Sequence, residues 1–211
     1  MSLVTISGAA GTGKTLLALA AALEQTNLFP NEKREKKYRE EDDGPGSSYP
    51  YRRIIMSRPL EPFHKEIGFL PGSIEDKMDP WLAPVWDNLE FLFRGEDGKK
   101  TIDMLREQGI FEIRALTHLR GSSIRDAFII VDEAQNLNQH EMKTIITRAG
   151  HNSKLILIGD VEQIDNQHLD RRNSGLSVVA ELFRDSKIAA HITLTKGQRS
   201  KLATLAVERF Q

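Results

Sequence analysis

Leu3-Val4-Thr5-Ile6-Ser7-Gly8-Ala9-Ala10-Gly11-Thr12-Gly13-Lys14-Thr15 decides the fold. Its first five residues favour a strand, its middle is a glycine-rich turn, and Lys14 to Gln25 is dense in Leu and Ala, the strongest helix formers. The segment reads as strand, tight loop, helix. Gly8 to Thr15 satisfies G-x-x-x-x-G-K-[ST] in the context that its physics requires. Glycines let the backbone wrap with its N–H groups turned inward, and the following helix adds the positive end of its dipole. Such a loop cradles phosphate.

Outward from this unit, Arg52 to Ser57 reads as a second strand, ended at Arg58-Pro59 because the residue before a proline avoids the helical region. Phe111-Glu112-Ile113-Arg114 alternates as a strand, while Phe128-Ile129-Ile130-Val131 and Lys154-Leu155-Ile156-Leu157-Ile158 are continuously apolar, as strands buried on both faces are. Helices are expected near 81–93, 138–148, 174–183 and 199–210. Alternating strands and helices predict an α/β fold, a doubly wound and mostly parallel sheet, with residues 1–211 forming one domain. Residues 27–50 carry hardly an apolar side chain among their charges, glycines and serines, so a flexible charged insertion is expected there. The first strand begins so early that a further domain is expected ahead of it in the parent protein, and Met1-Ser2-Leu3 reads in part as a cloning scar.

Composition bounds the partners. The chain has 211 residues, 39% hydrophobic and 28% charged, with no cysteine, which excludes disulfides and thiolate metal sites. No apolar run approaches the roughly 18 residues of a membrane span, so a soluble, cytoplasmic protein with no membrane partner is expected. A formal net charge of −1 gives no bulk argument for nucleic acid, which would need a local basic face. The six histidines show no ligand spacing.

The expected chemistry follows from three sheet-edge segments. Gly8, Ala9, Ala10, Gly11, Thr12 and Gly13 would cradle ATP, Lys14 would reach its β and γ phosphates, and Thr15 would ligate magnesium (Mg2+). Asp132 and Glu133 end a buried strand at the edge where open α/β sheets bind nucleotides: Asp132 would hold the magnesium shell and Glu133 would polarise the attacking water. Gly159-Asp160 and Gln163 leave a third strand at that edge, where Gln163 would report the γ phosphate. Arg148, Arg199 and the pair Arg171-Arg172 are candidates for a guanidinium on the transferring phosphoryl group.

Asp132-Glu133-Ala134-Gln135-Asn136, Gly159-Asp160-x-x-Gln163-Ile164-Asp165 and Gly68-Phe69-Leu70-Pro71-Gly72 together resemble the PhoH family of ATPases. Ser57-Arg58-Pro59, Lys77-x-Asp79-Pro80, Thr147-Arg148-x-Gly150 and Ser174-Gly175-Leu176 extend the likeness over nearly the whole chain. The ending Lys196-Gly197-Gln198-Arg199-Ser200-Lys201-Leu202-Ala203 resembles the subgroup in which an N-terminal PIN ribonuclease domain, missing from this chain, precedes the ATPase. The family is similar to the first motor domain of superfamily 1 helicases. The resemblance implies a RecA-like fold, ATP-driven RNA unwinding, hexameric rings, and a link to phosphate starvation or RNA turnover. It also makes Arg199 the preferred arginine finger, supplied to a neighbouring subunit.

Two other classes stay open: a nucleotide-dependent switch with little turnover, and small-molecule phosphoryl transfer. The expected surface for single-stranded RNA combines Arg52, Arg53, Arg58 and Lys65, read as lying after the second strand, with Thr117-His118-Leu119-Arg120.

Overall fold

The computed structural model describes residues 1–26, 28, 51–59, 83–93, 98–119 and 123–197. The expected insertion at 27–50 and the expected helix at 199–210 lie outside the described residues. So do Gly68 to Gly72, Lys65, Arg120 and Arg199.

Among the described residues six strands, β1 (Leu3–Gly8), β2 (Arg53–Ser57), β3 (Phe111–Ile113), β4 (Ala127–Val131), β5 (Lys154–Gly159) and β6 (Ala189–Leu194), form one sheet in the order β3-β2-β4-β5-β1-β6. Every adjacent pair is parallel. Among the described residues five α-helices accompany them: α1 (Lys14–Gln25), α2 (Ala83–Leu92), α3 (Gly98–Glu107), α4 (Gln139–Ile146) and α5 (Gly175–Leu182).

The period of two along each strand splits the core. Ile54, Met56, Phe128, Ile130, Ile156 and Ile158 meet Leu19, Leu23, Val85, Leu89, Ile102 and Leu105 from α1, α2 and α3. Their alternates Ile55, Ile129, Val131, Leu155 and Leu157 meet Met142, Ile145, Leu176 and Val179 from α4 and α5. Both sheet faces are thus covered, the reason β4 and β5 are apolar throughout. Each such side chain stabilises by about 1.5–3 kcal/mol when fully buried.

Two elements escape the pattern reading. β6 is an edge strand with His191, Ile192 and Thr193 exposed, so Ala189-Ala190-His191-Ile192-Thr193-Leu194 never shows the apolar run of a central strand. α3 commits Gly98, Ile102 and Leu105 to the interior at helical spacing within an otherwise polar segment, and it is not among the expected helices. α4 is announced by its cap: Asn138 Oδ1 accepts from the Glu141 N–H at 2.9 Å and Glu141 Oε2 accepts from the Asn138 N–H at 3.0 Å, a reciprocal box.

Parallel strands share one direction, so all the segments that leave their C-terminal ends share one edge of the sheet. The segments after β1, β4 and β5 are neighbours there, because β5 lies between β4 and β1.

Candidate active site

The loop leaving β1 turns beside the end of β6. A Cβ on Gly8 would lie 2.6 Å from the Leu194 carbonyl oxygen, so only glycine allows this approach. The loop is held from within by Thr12, whose hydroxyl donates to the Ala9 carbonyl at 2.8 Å. Lys14 folds back over it, with Nζ donating to the carbonyl oxygens of Gly8 at 2.6 Å and Ala9 at 3.1 Å. Thr15, in the first turn of α1, places its hydroxyl 3.3 Å from Asp132 Oδ2, to which it donates.

Asp132 sits just past β4 and is 7% exposed. Its Oδ1 accepts from the Glu133 N–H at 3.0 Å. Burial pushes its pKa up to about 6, with the neighbouring Glu133 charge adding to the rise and Arg58 opposing it. A desolvated carboxylate beside a hydroxyl is a hard-oxygen donor set short of positive charge, which suits magnesium. Glu133 holds φ 52° in the left-handed region, a conformation costing a non-glycine residue about 1–3 kcal/mol. That backbone aims its carboxylate between two donors: Arg58 Nη2 at 3.2 Å from Oε1, and Gln135 Nε2 at 2.7 Å from Oε2.

Gln135 is the residue that composition and spacing alone did not single out. Fully buried, it donates from Nε2 to the Gln163 carbonyl at 2.8 Å as well as to Glu133, and its Oε1 accepts from the Asp160 N–H at 3.2 Å. One amide thus ties the end of β4 to the segment after β5. The fit leaves no spare volume, since a Cβ on Gly159 would lie 2.3 Å from Gln135 Oε1. Gly159→Ala is therefore expected to displace Gln135 and destabilise the chain by about 1–3 kcal/mol in denaturant unfolding. An unchanged midpoint would show that the amide is not wedged there.

Asp160 does more than start a turn. Its Oδ1 accepts from the Glu162 N–H at 3.0 Å, as a turn-initiating Asp does. Its Oδ2 accepts from the N–H of Ala10 at 3.0 Å, so the β5 segment holds an amide of the glycine-rich loop. Gln163 is anchored through its backbone, with its N–H donating to the Asp160 carbonyl at 2.9 Å, and its side chain is exposed at the same edge.

The arginines divide. Arg171 pairs with Glu162 after β5, on the edge of the site. Arg148 does not reach that edge within its own chain. It follows α4, its carbonyl accepts from the Ile124 N–H ahead of β4, and it therefore sits at the N-terminal end of the sheet, across the strand length from Lys14. The expected RNA surface divides too. Arg52 and Arg53 do not follow the second strand: Arg53 is the first residue of β2 and pairs with Glu112 at 3.1 Å, whereas Arg58 lies past its other end. A parallel strand carries its two ends to opposite edges of the sheet. Among the described residues, no helix is long and apolar enough to cross a membrane.

A family profile described as "PhoH-like protein" matches residues 47–211. The chain is 47% identical over 206 residues to "Protein PhoH2" of Bacillus subtilis (strain 168), an alignment covering 98% of this chain and 42% of that protein. It is 39% identical over 212 residues to "Protein PhoH2" of Thermobispora bispora, covering 100% of this chain and 43% of that one. A "PhoH-like protein" of Bacillus subtilis (strain 168) is 36% identical over 177 residues, covering 84% of this chain and 47% of its own length. The profile starts beyond Gly8 to Thr15, but the first two alignments take in that loop. This chain spans less than half the length of these curated relatives.

Proposed function

The chain belongs to the PhoH-like protein family, and from that premise we propose that it hydrolyses ATP with magnesium and couples hydrolysis to single-stranded RNA, as the motor part of an RNA helicase or ribonuclease-helicase. The observation that carries the reading is the convergence of Lys14 and Thr15, Asp132 and Glu133, and Asp160 on one sheet edge, the first pair coming from a segment more than a hundred residues before the others in sequence.

Thr15 and Asp132 would hold the magnesium ion, which when bound neutralises charge on the phosphate oxygens. Lys14 would exchange the carbonyl oxygens of Gly8 and Ala9 for the β and γ phosphates. The Ala10 N–H, which Asp160 now accepts from, belongs to the same cradle. Glu133 would take a proton from a water whose oxygen attacks the γ phosphorus. The bond to the bridging oxygen then breaks, leaving ADP and inorganic phosphate. Gln135 would keep Glu133 in register with the β5 segment, where Gln163 would respond to the γ phosphate.

Arg199 as a finger, a hexameric ring to supply it, and a PIN domain ahead of this chain belong to the same proposal and rest on the family likeness. The relatives' greater length is in keeping with a larger assembly around this part.

Turnover is therefore expected to rise when a single-stranded oligouridylate is added. Its affinity should fall steeply between low and moderate salt, because backbone phosphates release counterions on meeting Lys and Arg. Phosphate release that ignores the RNA at every salt concentration would remove the RNA half of the proposal and leave the ATPase half standing.

A further inference from the structure

Arg58 occupies a place that a surface arginine seldom does. Ser57 before it is buried and pinned on both sides: its carbonyl accepts from the Asp132 N–H at 2.9 Å, and its hydroxyl donates to the Arg114 carbonyl at 2.7 Å. The end of β2 is thereby fastened to the ends of β4 and β3, which fixes where the Arg58 side chain starts. From there its guanidinium reaches Glu133 Oε1 at 3.2 Å. Gln135 holds Oε2, so the carboxylate cannot swing toward a water without giving up one of two donors. The pair is not sealed: the side chains of Arg58 and Glu133 are 29% and 34% exposed. The guanidinium of Arg114, past β3, is instead turned back onto Glu112, the carboxylate that Arg53 also meets.

From this we infer that Arg58 is a restraint on Glu133, and that the phosphate backbone of a nucleic-acid strand crossing the end of β2 releases it by taking the guanidinium. The inference rests on the reading of Glu133 as the base of an RNA-coupled ATPase. A planar guanidinium binds phosphate through paired N–H groups at least as well as it binds one carboxylate oxygen, so the exchange is chemically even and mass action decides it. An ion pair this exposed is weak, which keeps the expected effects small and the device reversible. Strand order supports a restraint over a direct role on the nucleotide: β2 lies on the side of β4 away from β5 and β1, whose segments carry Asp160 and the phosphate loop. Arg58 thus approaches Glu133 from the flank opposite the phosphate loop. A strand bound at that flank would reach the bound nucleotide through Glu133.

The test uses this chain with an oligouridylate as the probe. Arg58→Ala is expected to raise the ATP turnover measured without RNA by about 2- to 5-fold, with KM for ATP unchanged, and to cut the stimulation by RNA by a similar factor. Oligouridylate affinity without nucleotide, read by fluorescence anisotropy, should weaken by about the same factor. Arg58→Lys, which keeps the charge and loses the fork, should fall between the parent and Arg58→Ala in all three readouts, and it carries the test if the alanine variant does not fold. RNA-free turnover that falls, or stimulation by RNA that is the same in parent and variants, overturns the restraint while leaving the ATPase reading intact. A parent chain that RNA does not stimulate, or a Glu133→Gln chain that still turns over, instead strikes the reading on which the inference stands.

Discussion

Glu133→Gln is expected to bind ATP like the parent chain while turnover falls by roughly 10²- to 10⁴-fold, the usual loss when a positioned base is removed. Gln is nearly isosteric with Glu, so the left-handed backbone at 133 and the contact with Gln135 can persist, and what disappears is the carboxylate able to accept a proton from water. Lys14→Ala should fail at the earlier step. Its ammonium is the only side-chain cation that the described structure places on the carbonyl oxygens of the phosphate loop, and without it the phosphates lose a paired charge. Titration calorimetry with magnesium and ATP, read beside phosphate release, separates the two. A Glu133→Gln chain that hydrolyses ATP at the parent rate would mean that another group accepts the proton.

Asp132→Asn is expected to part stability from activity. Burial raises the folded-state pKa of Asp132 from 3.8 to about 6, so the folded chain holds that proton more tightly than the unfolded one. The associated stability is fully present below about pH 4, is lost as pH rises through about 6, and is absent at neutral pH, where ionised Asp132 burdens the nucleotide-free fold. At about 1.4 kcal/mol per pKa unit, the burden is on the order of 2–3 kcal/mol. Asparagine retains an acceptor for the Glu133 N–H and carries no charge, so at pH 8 with chelator the variant should melt roughly 4–10 °C above the parent. The same substitution removes an anionic oxygen from the proposed magnesium site, so turnover should collapse and melting should gain far less from magnesium and ATP. An Asp132→Asn chain that melts at or below the parent in chelator at pH 8 would show that the charge carries no such cost.

The sequence by itself determined the local units and their order. Phe128-Ile129-Ile130-Val131 and Lys154 to Ile158 declare strands buried on both faces because no polar side chain interrupts them, and Gly8 to Thr15 declares its loop because only that glycine spacing lets the amides turn inward. Since parallel strands release their following segments at one edge, Lys14, Thr15, Asp132, Glu133, Asp160 and Gln163 could be assigned to a common edge without coordinates. Strand order was beyond reach, because each parallel crossover tolerates several destinations and the sequence period does not record which neighbour a strand pairs with. Only the tertiary structure set β5 between β4 and β1, and with that the Ala10–Asp160 contact and the Gln135 bridge. Edge strand β6 was illegible for a related reason: it buries so little that its pattern is mostly that of its solvent face. Arg58 shows the same limit in one residue. In sequence it is a cation before a proline, while in space the fastening of Ser57 to Asp132 and Arg114 delivers it to Glu133, seventy-five positions away. Local propensity and periodicity are written residue by residue; which carboxylate a guanidinium meets depends on how strands with no shared pattern are stacked side by side.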